Sequence, residues 1–168
     1  MATSRDADRL VPPLLVFGYG NPSRGDDALG PLLIDALRRD PAHAEVEFLT
    51  DFQLQIEHAF DLSERHLVLF ADADVACDSP CRLERLSAAA DGSYTTHAMS
   101  PSSVLSVFRQ CFRSEPPEAF LLRVRGERFE LGEDLSPAAR SNLDAAIALA
   151  TNLLRKPYPE HWLRICSP

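Results

Sequence analysis

No apolar run in this chain approaches the roughly 20 residues that a membrane-spanning helix requires. The opening MATSRDADRLVPP carries two aspartates and no apolar core, so it does not read as a secretory signal, and a cytoplasmic protein is expected. Basic charge is also scarce. Lys and Arg total 17 against 25 Asp and Glu, a net charge of −8 and a pI near 5.0. That balance argues against binding a nucleic-acid backbone. It suits small molecules, metal ions or a protein partner with a basic patch. Cysteine is limited to Cys77, Cys81, Cys111 and Cys166, which a reducing compartment keeps as thiols. The C-x3-C spacing of the first two finds no second pair or nearby histidine, which leaves a structural zinc site without its ligands. A G-x-S-x-G elbow, an H-E-x-x-H pair and a Walker loop are all missing. The serine hydrolase, zincin and nucleotide hydrolase readings fall with them. Internal repeats and low-complexity linkers are absent too.

What remains is an ordinary globular composition, 45% hydrophobic and 25% charged over 168 residues, enough for one domain with a full core. Residues 1–13 read as a loose leader, 14–155 as the core domain and 156–168 as a tail with no evident helix pattern. Within the core, short apolar runs alternate with helical periodicity. Strands are expected at Leu14–Gly18, Glu45–Leu49, His66–Ala71, Arg82–Leu86 and Phe120–Val124, with Arg128–Leu131 pairing with the last of these. Helices are expected at Leu29–Arg39, Gln53–Leu62, Pro101–Phe112 and from Pro137 to about Leu154, the last with Ser136 as its cap. The run HLVLFA from His66 is nearly continuous in apolar residues, as a central strand buried on both faces would be. This alternation predicts an α/β fold, a three-layer sandwich with a mainly parallel twisted sheet flanked by helices.

The most informative stretch is Val16-Phe17-Gly18-Tyr19-Gly20-Asn21-Pro22-Ser23-Arg24-Gly25-Asp26-Asp27-Ala28-Leu29-Gly30. A strand breaks into a glycine-punctuated loop that delivers two acids just before a helix. In an open α/β sheet, ligands bind at the carboxyl ends of strands. Asp26 and Asp27 can cap the helix and complement its dipole, or they can serve a cation or a proton transfer. Asp72 ends the third strand, and His97 sits in a later loop before a helix. Two carboxylates and an imidazole meeting at one rim would form an N/O site for a divalent transition ion. Each also has a plain alternative: Asp72 as a cap, His97 as a solvated loop residue. The loop does not fit G-x-G-x-x-G, because Ser23 stands where the third glycine would be. His58 and His66 read as packing residues, and Arg24 faces the same rim.

G-Y-G-N-P-S-R-G-D-D-A-L-G, then A-D-A at Asp72, then T-T-H at His97 before a helix resembles the hydrogenase maturation proteases. These endopeptidases remove a C-terminal extension from the large subunit of nickel–iron hydrogenases. The form G-Y-G-N-P-x-R-G-D-D looks most like the branch serving soluble, NAD-coupled bidirectional hydrogenases. The resemblance spans about residues 14–155 and implies that Asp27, Asp72 and His97 bind metal, with Asp26 left to cap backbone. It further implies nickel supplied by the substrate, no organic cofactor, and a nickel-loaded large-subunit precursor as partner. Cleavage would then proceed by attack of water polarised by metal or by a carboxylate, an aspartic or metal-dependent hydrolysis. One segment departs from the commoner pattern. Where many members carry a D-G-G-T-type segment after the second strand, this chain has Asp51-Phe52-Gln53-Leu54-Gln55-Ile56-Glu57-His58. Gln53 and Glu57, with Arg24, are therefore candidates for substrate contact. The opening G-Y-G-N-P also resembles that of peptidyl-tRNA hydrolases, but their T-R-H-N segment is absent and the acidic charge disfavours tRNA. A nickel or hydrogenase-subunit chaperone that binds without cutting is the remaining alternative.

Overall fold

The computed structural model describes residues 11–88 and 99–166. Its strands are β1 (Leu14–Tyr19), β2 (Glu47–Asp51), β3 (Leu67–Asp74), β4 (Cys81–Leu86) and β5 (Glu118–Arg125). Its helices are α1 (Leu29–Arg38), α2 (His58–Asp61), α3 (Pro101–Phe112), α4 (Pro137–Arg155) and α5 (Pro159–Ile165). The sheet order is β2-β1-β3-β5-β4. β1 runs parallel to β2 and β3, β3 parallel to β5, and only β4 is antiparallel to its neighbour. This is the expected α/β sandwich with a mainly parallel sheet.

Alternation along the strands builds two cores. Leu14 and Val16 of β1 and Leu69 and Ala71 of β3 face α1, α4 and α5, where they meet Leu33, Ile34, Ala150 and Trp162. Leu15, Phe17 and Tyr19 of β1 and Val68 and Phe70 of β3 face the α2 and α3 side, against Leu62, Val104 and Phe108. Both faces of β1 and β3 are therefore covered, which explains why their sequences read as unbroken apolar runs. Ser100 and Ser136 cap α3 and α4, accepting from the backbone N–H groups of Ser103 and Ala139. Proline follows each cap at the first helical position, where its missing N–H costs nothing.

Four local expectations are corrected. β2 begins two residues later than the alternation suggested, because residues 41–43 form a 3-10 turn capped by Asp40. The buried His43 ring holds the carbonyl of Leu37 at 3.0 Å there. The shift carries the strand as far as Asp51. The helix expected over Gln53–Leu62 is only His58–Asp61. Asp51 accepts from the backbone N–H of Phe52, and the His58 ring accepts from that of Gln55, so side chains satisfy groups a longer helix would have used. Residues 128–131 form no strand beside β5; their backbone is taken up by the loop after β1 instead. Finally, the tail is not patternless. α5 inserts Trp162 into the core, fully buried, with its ring edge-on to Phe120 and its indole N–H donating to Leu153 O at 2.9 Å. Trp162→Ala should cost about 3–5 kcal/mol through lost burial and the cavity left behind, read as a lower denaturation midpoint in urea.

Candidate active site

β1 connects to β2 on one side of it, whereas β3 lies on the other. The crevice at the carboxyl ends of β1 and β3 is therefore the topological switch point of the sheet, the place where open α/β folds bind ligands. Asp27 follows β1 and Asp72 lies near the end of β3, so the two carboxylates flank that crevice. Glycines make the approach possible. Gly20 adopts φ +143°, and a Cβ there would collide with the carbonyl of Asp27. A Cβ on Gly30, at the start of α1, would run into the carbonyl of Tyr19 and sit 2.9 Å from that of Ala71. Without side chains at these positions, the helix start nests directly on the strand ends.

The two adjacent acids have separate fates. Asp26 points inward and is fully buried. Its carboxylate accepts from the backbone N–H groups of Glu127 (2.7 Å), Arg128 (3.0 Å) and Ser136 (2.7 Å) and from the Ser136 hydroxyl (2.8 Å). Burial alone would push its pKa up, but the hydrogen bonds from Glu127, Ser136 and Arg128 prevail and hold it below the ordinary value. It caps backbone, though that of a loop a hundred residues away rather than its own helix. Asp27 is half-buried and accepts from the backbone N–H of Asn21 at 2.7 Å. That bond fixes one carboxylate oxygen and turns the group toward the crevice loop.

Asp72 is half-buried, and its pKa is pushed up to about 7. Burial is the largest cause, and the negative charge of Asp27 adds to it. A hydrogen bond from the Tyr19 hydroxyl, one from the Ala73 backbone and the Arg123 charge oppose the rise. The charge of Asp27 thus lies near enough to Asp72 to oppose its ionisation. A divalent cation would relieve both the burial and the repulsion, so the pair fits such an ion. Among the described residues no three His, Cys, Asp or Glu side chains gather into a metal cluster. His97 lies outside the described residues. The structure thus bears on two of the three expected ligands.

The other candidates are dispersed. Arg24 is exposed and donates through Nε to the carbonyl of Phe129 at 3.2 Å, helping to hold the 126–136 loop against the loop after β1. Gln53 and Glu57 are exposed in the segment after β2. His58 packs edge-on against Phe17, with ring centroids 4.7 Å apart, and its Nε2 meets Asp51 Oδ2 at 3.2 Å. Because Nδ1 accepts from Gln55, the neutral ring carries its proton on Nε2 and donates to Asp51.

Sequence reasoning missed a polar row across the sheet. The register sets Tyr19 beside Asp51, Gly18 beside Ala71 (hence Tyr19 beside Asp72), Asp72 beside Arg123, and Arg123 beside Arg82. All five follow the alternation of the α2 and α3 face, at the carboxyl end. Arg123 is pinned by Asp74 at 3.1 Å and Glu84 at 2.9 Å. Tyr19, Asp51, Asp72 and Arg123 stand where an apolar residue would extend the core, but only the strand register brings them into one row.

No family model matches the sequence, and comparison with curated proteins finds no match. Solved structures do match. The chain is similar to the hydrogenase maturating endopeptidase HybD from E. coli at 25% identity and a TM-score of 0.67, covering 86% of this chain and 93% of that one. It is similar to a solution structure of an endopeptidase from Escherichia coli at 26% identity and a TM-score of 0.65, covering 86% and 93%. A [NiFe] hydrogenase maturation protease, HycI from Thermococcus kodakarensis, matches in fold at 19% identity and a TM-score of 0.65, covering 86% and 94%. The fold matches that of hydrogenase maturation endopeptidases. No described helix is long and apolar enough to cross a membrane.

Proposed function

We propose that this protein is a cytoplasmic endopeptidase that removes the C-terminal extension of a nickel–iron hydrogenase large-subunit precursor after nickel insertion. The form of its first motif favours a soluble, NAD-coupled hydrogenase as the client. The observation that carries the reading is the pairing of Asp27 and Asp72 across the β1/β3 crevice, in a fold matching hydrogenase maturation endopeptidases.

In this reading nickel arrives as part of the substrate. Asp27 and Asp72 engage it with oxygen ligands, and His97 adds a nitrogen. The water that attacks the scissile carbonyl would be polarised by that ion or by a carboxylate of the pair. Arg24, Gln53 and Glu57, all exposed, are the candidates to contact the extension. The protein senses nickel in the client as well as cutting it.

Incubating the purified protein with nickel-loaded precursor tests this. The expected result is a large subunit whose mass falls by that of the C-terminal peptide. A stable complex with unchanged mass would make the protein a chaperone. Two carboxylates and one imidazole also leave an open shell, weaker than a closed four-ligand site. The free protein should therefore retain well under one equivalent of metal after chelator treatment, read by elemental analysis. Stoichiometric zinc or nickel surviving the chelator would mean a resident metal instead.

A further inference from the structure

Tyr19 ends β1 and alternates with Leu15 and Phe17 onto the α2 and α3 face, where it is 9% exposed. An apolar residue would fill that place at lower cost, since a buried hydroxyl must find a partner. By strand register the carboxylate beside it is that of Asp72, and the charge of Asp72 acts on the phenol. The register that sets Gly18 beside Ala71 brings the two side chains onto the same face of neighbouring strands. Arg123 flanks Asp72 on the opposite side, but Asp74 and Glu84 already engage its guanidinium. Beside the Ala73 backbone N–H, the phenol hydroxyl is thus the neutral side-chain donor built into the sheet at this carboxylate.

We propose that Tyr19 is a positioning residue whose hydroxyl fixes the orientation of the Asp72 carboxylate, so that it meets the client's nickel ion in one geometry. This rests on the reading of Asp27 and Asp72 as the pair that engages that ion. A ligating carboxylate is itself usually hydrogen-bonded, and loss of such a partner typically weakens metal binding or activity about 10- to 100-fold. Rotation of a free Asp72 side chain would spread it over orientations, most of which present no oxygen to the ion.

Tyr19→Phe removes one oxygen and keeps the ring in the core. The test compares wild type, Tyr19→Phe and Asp72→Asn by thermal unfolding, by calorimetric titration with nickel(II) alone, and by processing of nickel-loaded precursor. The quantity read in the titration is the binding that Asp72→Asn removes. Tyr19→Phe is expected to unfold within a few degrees of wild type while that binding weakens about tenfold or more. Its kcat/KM for the precursor should fall about tenfold as well, mainly through KM, because the ion is held less well before and during the reaction. A purely packing role predicts no change in either readout. Wild-type behaviour of Tyr19→Phe in either one, with Asp72→Asn inactive, overturns the positioning role and leaves the function standing. Wild-type processing by Asp72→Asn removes the function itself.

Discussion

Asp26→Ala should lower folding stability by about 4 kcal/mol. The substitution leaves the N–H groups of Glu127, Arg128 and Ser136 and the Ser136 hydroxyl without the acceptor they share. An orphaned buried donor costs about 1–3 kcal/mol, and water reaching the more exposed Glu127 and Arg128 recovers part of the total. For a chain of this size the loss corresponds to roughly 10 °C in unfolding temperature. The pH dependence has a definite sign. Because the folded-state pKa of Asp26 lies below its ordinary value, its contribution is present above that value and is lost as pH falls through the acid range. The gap between wild type and Asp26→Ala should therefore narrow on acidification. Equal unfolding temperatures at pH 7 would show that the carboxylate does not hold the 126–136 loop. The folded fraction of the variant should still process precursor, since Asp26 is turned away from the crevice.

Asp72→Asn should do the opposite on both counts: processing falls by about 100-fold or more, and the protein becomes more stable at pH 8. An Asn keeps the shape and an oxygen acceptor but cannot supply a negative charge to the client's ion. The stability gain follows from linkage. Asp72 titrates near 7 in the folded chain and near 3.8 as its ordinary value, so folding favours its protonated form. Its burial costs nothing below pH 4, and the cost grows as pH rises from about 4 to 7, where ionisation is forced on the folded state. A shift of this size corresponds to at most about 4 kcal/mol at 1.36 kcal/mol per pH unit. With solvent relaxation, a gain near 2 kcal/mol at pH 8 is expected, vanishing toward pH 4. A variant that lost stability at pH 8 would instead mark Asp72 as a structural cap.

These opposite signs rest on features that the sequence reveals unevenly. The sheet was legible because β1 and β3 are buried on both faces, and a run such as HLVLFA has no other good solution. α3 and α4 were legible because a serine cap followed by proline marks a start sharply. The segment after β2 was not, because His58 and Asp51 hold its backbone through side chains, and periodicity is blind to such bonds. α5 escaped because its stability comes from Trp162 in the core rather than from an amphipathic repeat. At the site, the paired acids stood out in the sequence, while their partition, with Asp26 left to cap backbone, came from the family resemblance and not from any local pattern. Which carboxylate turns inward depends on a loop a hundred residues downstream. Tyr19 and Arg123 likewise join the site only through strand register, which no local pattern encodes.

The most direct test of the central claim is the intact mass of the large-subunit precursor, prepared with and without nickel and exposed to wild type, Asp27→Asn, Asp72→Asn and His97→Ala. Wild type should shorten the nickel-loaded precursor and leave the nickel-free form intact, and none of the three variants should shorten either. Equal cleavage of both precursors, or full processing by Asp27→Asn and Asp72→Asn, would contradict a crevice built to read the client's nickel.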